Sequence, residues 1–155
     1  DMSAALKRRM NFETIEPINN ISDEMDVVNR EASKLLTHSG VDVALDPMII
    51  EMLVIVFHEL RNGQTLSGRS TDRLAAAVMS TAEAVNVAHA MAVYAFYYRE
   101  GRMLPADLIH FLLGTALKDN PRDRRRVRHY FDTEVVNKDG EHWQQLYAQR
   151  DLLKD

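Results

Sequence analysis

The chain has 155 residues, 46% of them apolar and 27% charged, with a net charge of −4. This is the profile of a globular protein large enough to bury a core, and the acidic balance excludes a general basic field for nucleic acid or anionic lipid. Cysteine is absent, which excludes disulfides, thiolate metal sites and cysteine catalysis and fits a reducing, cytoplasmic setting.

No apolar run approaches the roughly 18 residues that a membrane helix needs. The longest, Met48 to Phe57, is broken by Glu51. The first residues, Asp1 to Arg9, lack the apolar stretch of a leader and read as the end of a helix entered partway. Between Asn11 and Ile18, the residues Phe12, Thr14 and Ile15 favour a short strand that Pro17 ends or confines to an edge. Every later segment is helical in period.

Ser22 is expected to cap the first long helix, with Asp23 and Glu24 in its first turn, where a helix favours negative charge. Met25, Val28, Ala32, Leu35 and Leu36 supply its apolar repeat, and Gly40 follows its end. Asp46-Pro47 is a capping carboxylate followed by a proline whose missing N–H is harmless in the first turn, so a second helix begins there and stops at Asn62-Gly63. Gln64 to Ser70 is polar and turn-forming, and Asp72 to Met79 could be helical. Ser80-Thr81-Ala82-Glu83 fits a capping box. It opens an alanine-rich helix with Val85, Ala88, Ala92, Ala95 and Phe96 on one side, which is expected to be the centre of a bundle and to end at Glu100-Gly101. Pro105 opens a helix through Leu117, Asn120-Pro121 opens a basic one through about Thr133, and Gly140 precedes a last one from Glu141 to Leu153. The expected fold is mainly α: a bundle of about six helices with one short N-terminal strand.

Three motifs occur in an order that resembles the end of an AAA+ ATPase of the MoxR-like type. Ala5-Leu6-Lys7-Arg8-Arg9-Met10-Asn11-Phe12-Glu13 is similar to the junction where a helix ends in an arginine before the last strand of the core. Pro17-Ile18, followed by an acidic-capped helix, resembles the crossing into the helical lid. Glu100-Gly101-Arg102-Met103-Leu104-Pro105-Ala106-Asp107-Leu108-Ile109 resembles the E-G-R-x-x-V-x-P-x-D-V signature near the end of such lids. The match spans about residues 4 to 117. None of the three motifs is specific alone; their order and spacing carry the resemblance.

The resemblance implies three segments: residues 1–18 as the end of the ATPase core, 19–117 as the lid, and 118–155 as a helical extension. It implies that Arg9, with Arg8 as runner-up, is an arginine finger reaching the ATP of a neighbouring subunit. A guanidinium brings planar donors and a permanent charge to the spread negative charge of phosphoryl transfer. The plain alternative is that Lys7, Arg8 and Arg9 are cations favoured at a helix C-terminus. The family's second arginine, sensor 2, belongs at the start of the helix beginning near Ser80. Ser80-Thr81-Ala82-Glu83-Ala84 has no arginine there, so the role is absent or relocated, with Arg73 a weak candidate.

The chain has no G-x-x-x-x-G-K-[ST] phosphate loop and no acidic strand end for magnesium, so no cofactor is expected in this chain and it should not hydrolyse ATP alone. ATP and Mg belong to the full-length protein. The implied partners are other subunits of the same ATPase, in a ring homo-oligomer, and a protein client. Neither a membrane nor nucleic acid is favoured.

Arg122, Arg124, Arg125, Arg126 and Arg128 form the sharpest charge cluster, with Arg122, Arg125 and Arg126 on one side of their helix. A solvated or ion-paired face is the first reading, and contact with a partner or subunit the second. The six histidines show no H-x-x-x-H pair, so no metal site is expected. Met48, Met52, Met79 and Met91 read as core fillers. The rival to the ATPase reading is a stand-alone helical interaction module that grips a protein with the Arg122–Arg128 helix or a Trp143/Leu146/Tyr147 face.

Overall fold

The computed structural model of the chain describes residues 18, 20–118 and 120–154. The strand expected over 11–18, apart from Ile18, and the arginines Arg8 and Arg9 lie outside the described residues.

Among the described residues the fold is mainly α, with six α-helices. The first is α1, Ile21–Ser39. Its cap is Asn20 and not the expected Ser22: the Asn20 side chain accepts from the Asp23 N–H at 3.1 Å. Gly40 ends it at φ 70° and donates back to Leu36 and Thr37, the left-handed stop that glycine adopts without a Cβ penalty. Helix α2, Pro47–Asn62, is capped by Asp46, whose carboxylate accepts from the Met48 N–H at 2.9 Å. Helix α3, Thr81–Tyr98, is capped by Ser80 as the capping box requires, through the Glu83 N–H at 3.1 Å.

Residues 72–79, considered for helix, are an extended stretch ending in a turn over 76–79. Backbone bonds from this stretch and from Thr71 before it run back to the end of α2: the Thr71 N–H donates to Gly63 and the Leu74 N–H to Leu60. Those tertiary bonds satisfy the donors that a helix would have used locally.

The sequence points to α3 as the central helix, but α2 is the more enclosed. Ten of its 16 residues are buried, against eight of 18 in α3. Helix α2 is apolar nearly all round, the pattern of a helix covered on every side. The alanines of α3 serve a different end. Its most extensive helix partner is α1, whose buried face is also narrow, with Val28 and Ala32, so the two backbones approach closely. Met52, Met79 and Met91 are core, whereas Met48 is 53% exposed and Phe96 also faces outward.

After α3 the chain turns at Arg99–Arg102 and runs back along it through a 3-10 turn, Pro105–Asp107, then α4, Leu108–Phe111, and a π-helical turn, Leu112–Leu117. The ring of Phe111 meets Tyr94 of α3 edge-on at 5.3 Å. Helix α5, Pro121–Thr133, sends Val127, Tyr130 and Phe131 into the core shared with α2. The final helix expected over 141–153 is divided into α6, Glu141–Tyr147, and a 3-10 turn, Arg150–Leu153. No helix among the described residues is long and apolar enough to cross a membrane.

Candidate functional site

The start of α1, the end of α2 and the start of α3 come together at one end of the bundle, beside Ile18. Two neighbours in this cluster, Glu24 on the first turn of α1 and Arg61 on the last turn of α2, are 0% and 4% exposed. Arg61 holds the Glu24 carboxylate with both terminal nitrogens: Nη2 donates to Oε2 at 2.6 Å and Nη1 to Oε1 at 3.0 Å. Its Nε donates to the Met79 carbonyl at 2.8 Å, and Nη1 reaches the Ile18 carbonyl at 3.4 Å. The Thr81 hydroxyl donates to Glu24 Oε2 at 2.9 Å. One planar guanidinium therefore ties the incoming chain to three helices. Its rigid fork suits this work, because each bond leaves little freedom in the others.

A second buried network joins α2 to the C-terminal segments. Glu59 is fully buried. It accepts from the Tyr130 hydroxyl at 2.6 Å and the Leu66 N–H at 2.9 Å, and pairs with Lys138 at 3.0 Å. Burial, followed by the adjacent Glu59 carboxylate, pushes the Tyr130 hydroxyl well above its ordinary range. Glu134 accepts both Nε and Nη2 of Arg69, fastening the 64–70 loop to the end of α5.

Ser80 and Thr81 stand at the start of α3, where the resemblance would place sensor 2, and Thr81 is turned to Glu24. Arg73 is exposed. Its side-chain carbons lie 3.0–3.4 Å from where a Cβ on Gly63 would sit, and it makes no ion pair among the described residues. The arginines of α5 divide. Arg126 pairs with Asp123 at 3.5 Å, and Arg124 donates to the Lys154 carbonyl at 3.3 Å. Arg122 and Arg125 are exposed and have no ion-pair partner among the described residues. Tyr130, Phe131 and Leu146 are fully buried and Trp143 nearly so, so the Trp143/Leu146/Tyr147 face expected of a stand-alone module is turned largely inward. Among the described residues no group of three or more His, Asp or Glu could hold a metal ion.

Sequence reasoning missed Glu24–Arg61 and Glu59–Tyr130. An acidic residue in a first turn and a basic one in a last turn each have an adequate local explanation in the helix dipole. The signal available was the placement of Glu59 and Arg61 inside an otherwise apolar helix.

The described residues thus form a mainly helical domain whose chain enters at an ion-paired junction of three helices. Residues 22–154 match the family of the YehL-like AAA+ ATPase C-terminal domain, and the chain belongs to that family. It is similar to a protein of Escherichia coli (strain K12) described as "Uncharacterized protein YehL", with 43% identity over 154 residues. The match covers 99% of this chain and 42% of that protein, so the chain spans less than half the length of its relative. No solved structure matches it.

Proposed function

We propose that this domain is the lid of a MoxR-like ATPase, closing over ATP and Mg held by a preceding core and working within a ring of like subunits on a protein client in the cytoplasm. The observation that carries the reading is the Glu24–Arg61–Thr81 junction. It makes the first turns of α1 and α3 and the last turn of α2 one rigid piece at the point where the chain arrives from residue 18. A lid must transmit the position of its entry strand to its whole body, and a bidentate, buried pair does this with little play. The phosphate-binding groups belong to the preceding core, since this chain has no phosphate loop, and the isolated chain should not turn over ATP.

In this reading residues 1–18 end the core, 19–117 form the lid, and 118–155 extend it. Arg9 is the residue that reaches the ATP of the next subunit, with Arg8 the alternative. Arg73, exposed and unpaired among the described residues, is the available cation for nucleotide sensing. In the full-length protein Arg9→Ala should leave ATP binding nearly intact and cut hydrolysis by roughly a thousandfold or more. Mixing it with a subunit defective in the phosphate loop should restore part of the activity, because the two defects then fall in different halves of a shared site. Wild-type turnover in both Arg9→Ala and Arg8→Ala would remove the finger.

A further inference from the structure

Two surfaces of the domain have no use in the lid itself. The first is the outward side of α5. Arg122 and Arg125 are exposed, Arg128 is half-buried, and none of the three has an ion-pair partner among the described residues. Val127, Tyr130 and Phe131 occupy the inward side of the same helix. The outward side is therefore cationic and carries no aromatic group, which disfavours stacking on exposed bases. This helix is fixed by its second half: His129 Nδ1 meets Asp72 Oδ2 at 2.7 Å and Tyr130 reaches Glu59. Both contacts lie beside the end of α2, on the side of the bundle where the chain enters.

The second surface is at the end of the bundle away from Arg61. Helices α1 and α3 start beside the end of α2, so the end of α3 lies with the start of α2. There Met48, Tyr97 and Tyr98 are 53%, 66% and 71% exposed, next in sequence to the outward Phe96. Asp42, Glu51 and Glu100 are exposed at the same end and make no ion pair among the described residues. Residues Glu100 and Gly101 both adopt positive φ, 55° and 81°, which holds the turn after Tyr98 in a defined shape.

We infer that these two surfaces are the two halves of one interface: the arginine side of α5 docks on the tyrosine- and carboxylate-bearing end of a second copy of this chain. The inference rests on the ring reading above and gives it an address. The signs are opposite, and arginine with tyrosine is the pairing that interface cores favour, through ion pairs and guanidinium–ring contact. No ion pair among the described residues joins Arg122 or Arg125 to Asp42, Glu51 or Glu100 within one copy, so both sets are open to a second. Contact between unlike patches is head-to-tail and closes into a ring when the rotation permits.

A charge swap in the full-length protein, with ATP present, tests this by sedimentation velocity. One variant carries Arg122→Glu and Arg125→Glu, and the other carries Asp42→Lys, Glu51→Lys and Glu100→Lys. All five positions are exposed, and circular dichroism confirms folding. Each variant alone should associate roughly tenfold more weakly or worse, because like charges then face each other. An equal mixture should recover assembly, because every contact is again between opposite signs. Wild-type assembly by either variant alone, or no recovery on mixing, would overturn the inference and leave the ring intact. A wild-type protein that stays monomeric with ATP would instead overturn the ring reading together with this interface.

Discussion

Glu24 and Glu59 are both fully buried carboxylates near the ends of long helices, yet they are satisfied in different ways. Glu24 depends on one partner: among the described residues Arg61 supplies two of its three donors, through a single planar fork, and Thr81 the third. Glu59 draws on three separate groups from three segments, the Tyr130 hydroxyl, the Leu66 N–H and the Lys138 ammonium. Concentrated pairing gives rigidity and is vulnerable to one substitution. Distributed pairing ties more of the chain together and degrades gradually. The first lies where the chain enters the domain, and the second fastens the C-terminal segments to α2.

The comparison breaks most sharply at Arg61. Arg61→Met should destabilise the domain by about 3–5 kcal/mol in urea melts, because it leaves a buried carboxylate without its counter-charge. Adding Glu24→Leu to Arg61→Met should recover much of the loss, since an apolar pair of similar volume is tolerated there. A second substitution that deepens the loss would show that Glu24 does not depend on Arg61. Tyr130→Phe should cost less, about 2 kcal/mol, the value of one hydrogen bond to a charged group, because Leu66 and Lys138 still serve Glu59. An equal loss at both sites would erase the distinction between concentrated and distributed pairing.

Ser80→Ala should cost about 1 kcal/mol. Its cap orients the first turn of α3, where Thr81 meets Glu24. A change indistinguishable from zero would mean that Thr81 alone fixes that turn. A smaller effect comes from pH. His58 and His89 each have a nitrogen buried without a hydrogen-bond partner among the described residues. Burial lowers both rings below the ordinary 6.5, and in His58 the nearby Arg61 adds to this while Glu24 and Glu59 oppose it. The unfolded chain therefore takes up protons first as the pH falls through 6.5. Their contribution to stability is constant above that value, declines below it, and levels off once the pH is under the folded-state values. His58→Gln and His89→Gln should each flatten that decline in melts at successive pH values. Smallest of all, Arg122→Ala on the outward side of α5 should change stability by less than about 0.5 kcal/mol, in contrast to the buried arginine on α2.

The parts of this fold that were legible in the sequence are those with local causes. Asp46-Pro47, Ser80 with Glu83, and Gly40 and Gly63 mark helix ends through bonds that span two to five residues, and all four mark them here. Ser22 and Asn20 compete for one cap with equal chemistry, and only the path of the chain decides between them. Residues 72–79 escaped a helix because Gly63 and Leu60 accept from Thr71 and Leu74, which no local pattern announces. The two buried networks were invisible for the same reason: Glu24 and Arg61 lie 37 residues apart, and Glu59 and Tyr130 lie 71 apart. The AAA+ relationship, by contrast, was readable from three short motifs in order, and the family match carries it over residues 22–154.

The proposed closure of this domain over the nucleotide is open to direct observation in the full-length protein. A donor dye on Ser33→Cys, an exposed position on α1, and an acceptor in the nucleotide-binding core report the distance between the two bodies. Saturating ATP should shorten that distance in the wild type. Arg61→Met, with its entry junction loosened, should show a broader and less shifted distribution at a temperature where it remains folded. A distance that does not respond to ATP in the wild-type protein would contradict the reading of this domain as a lid.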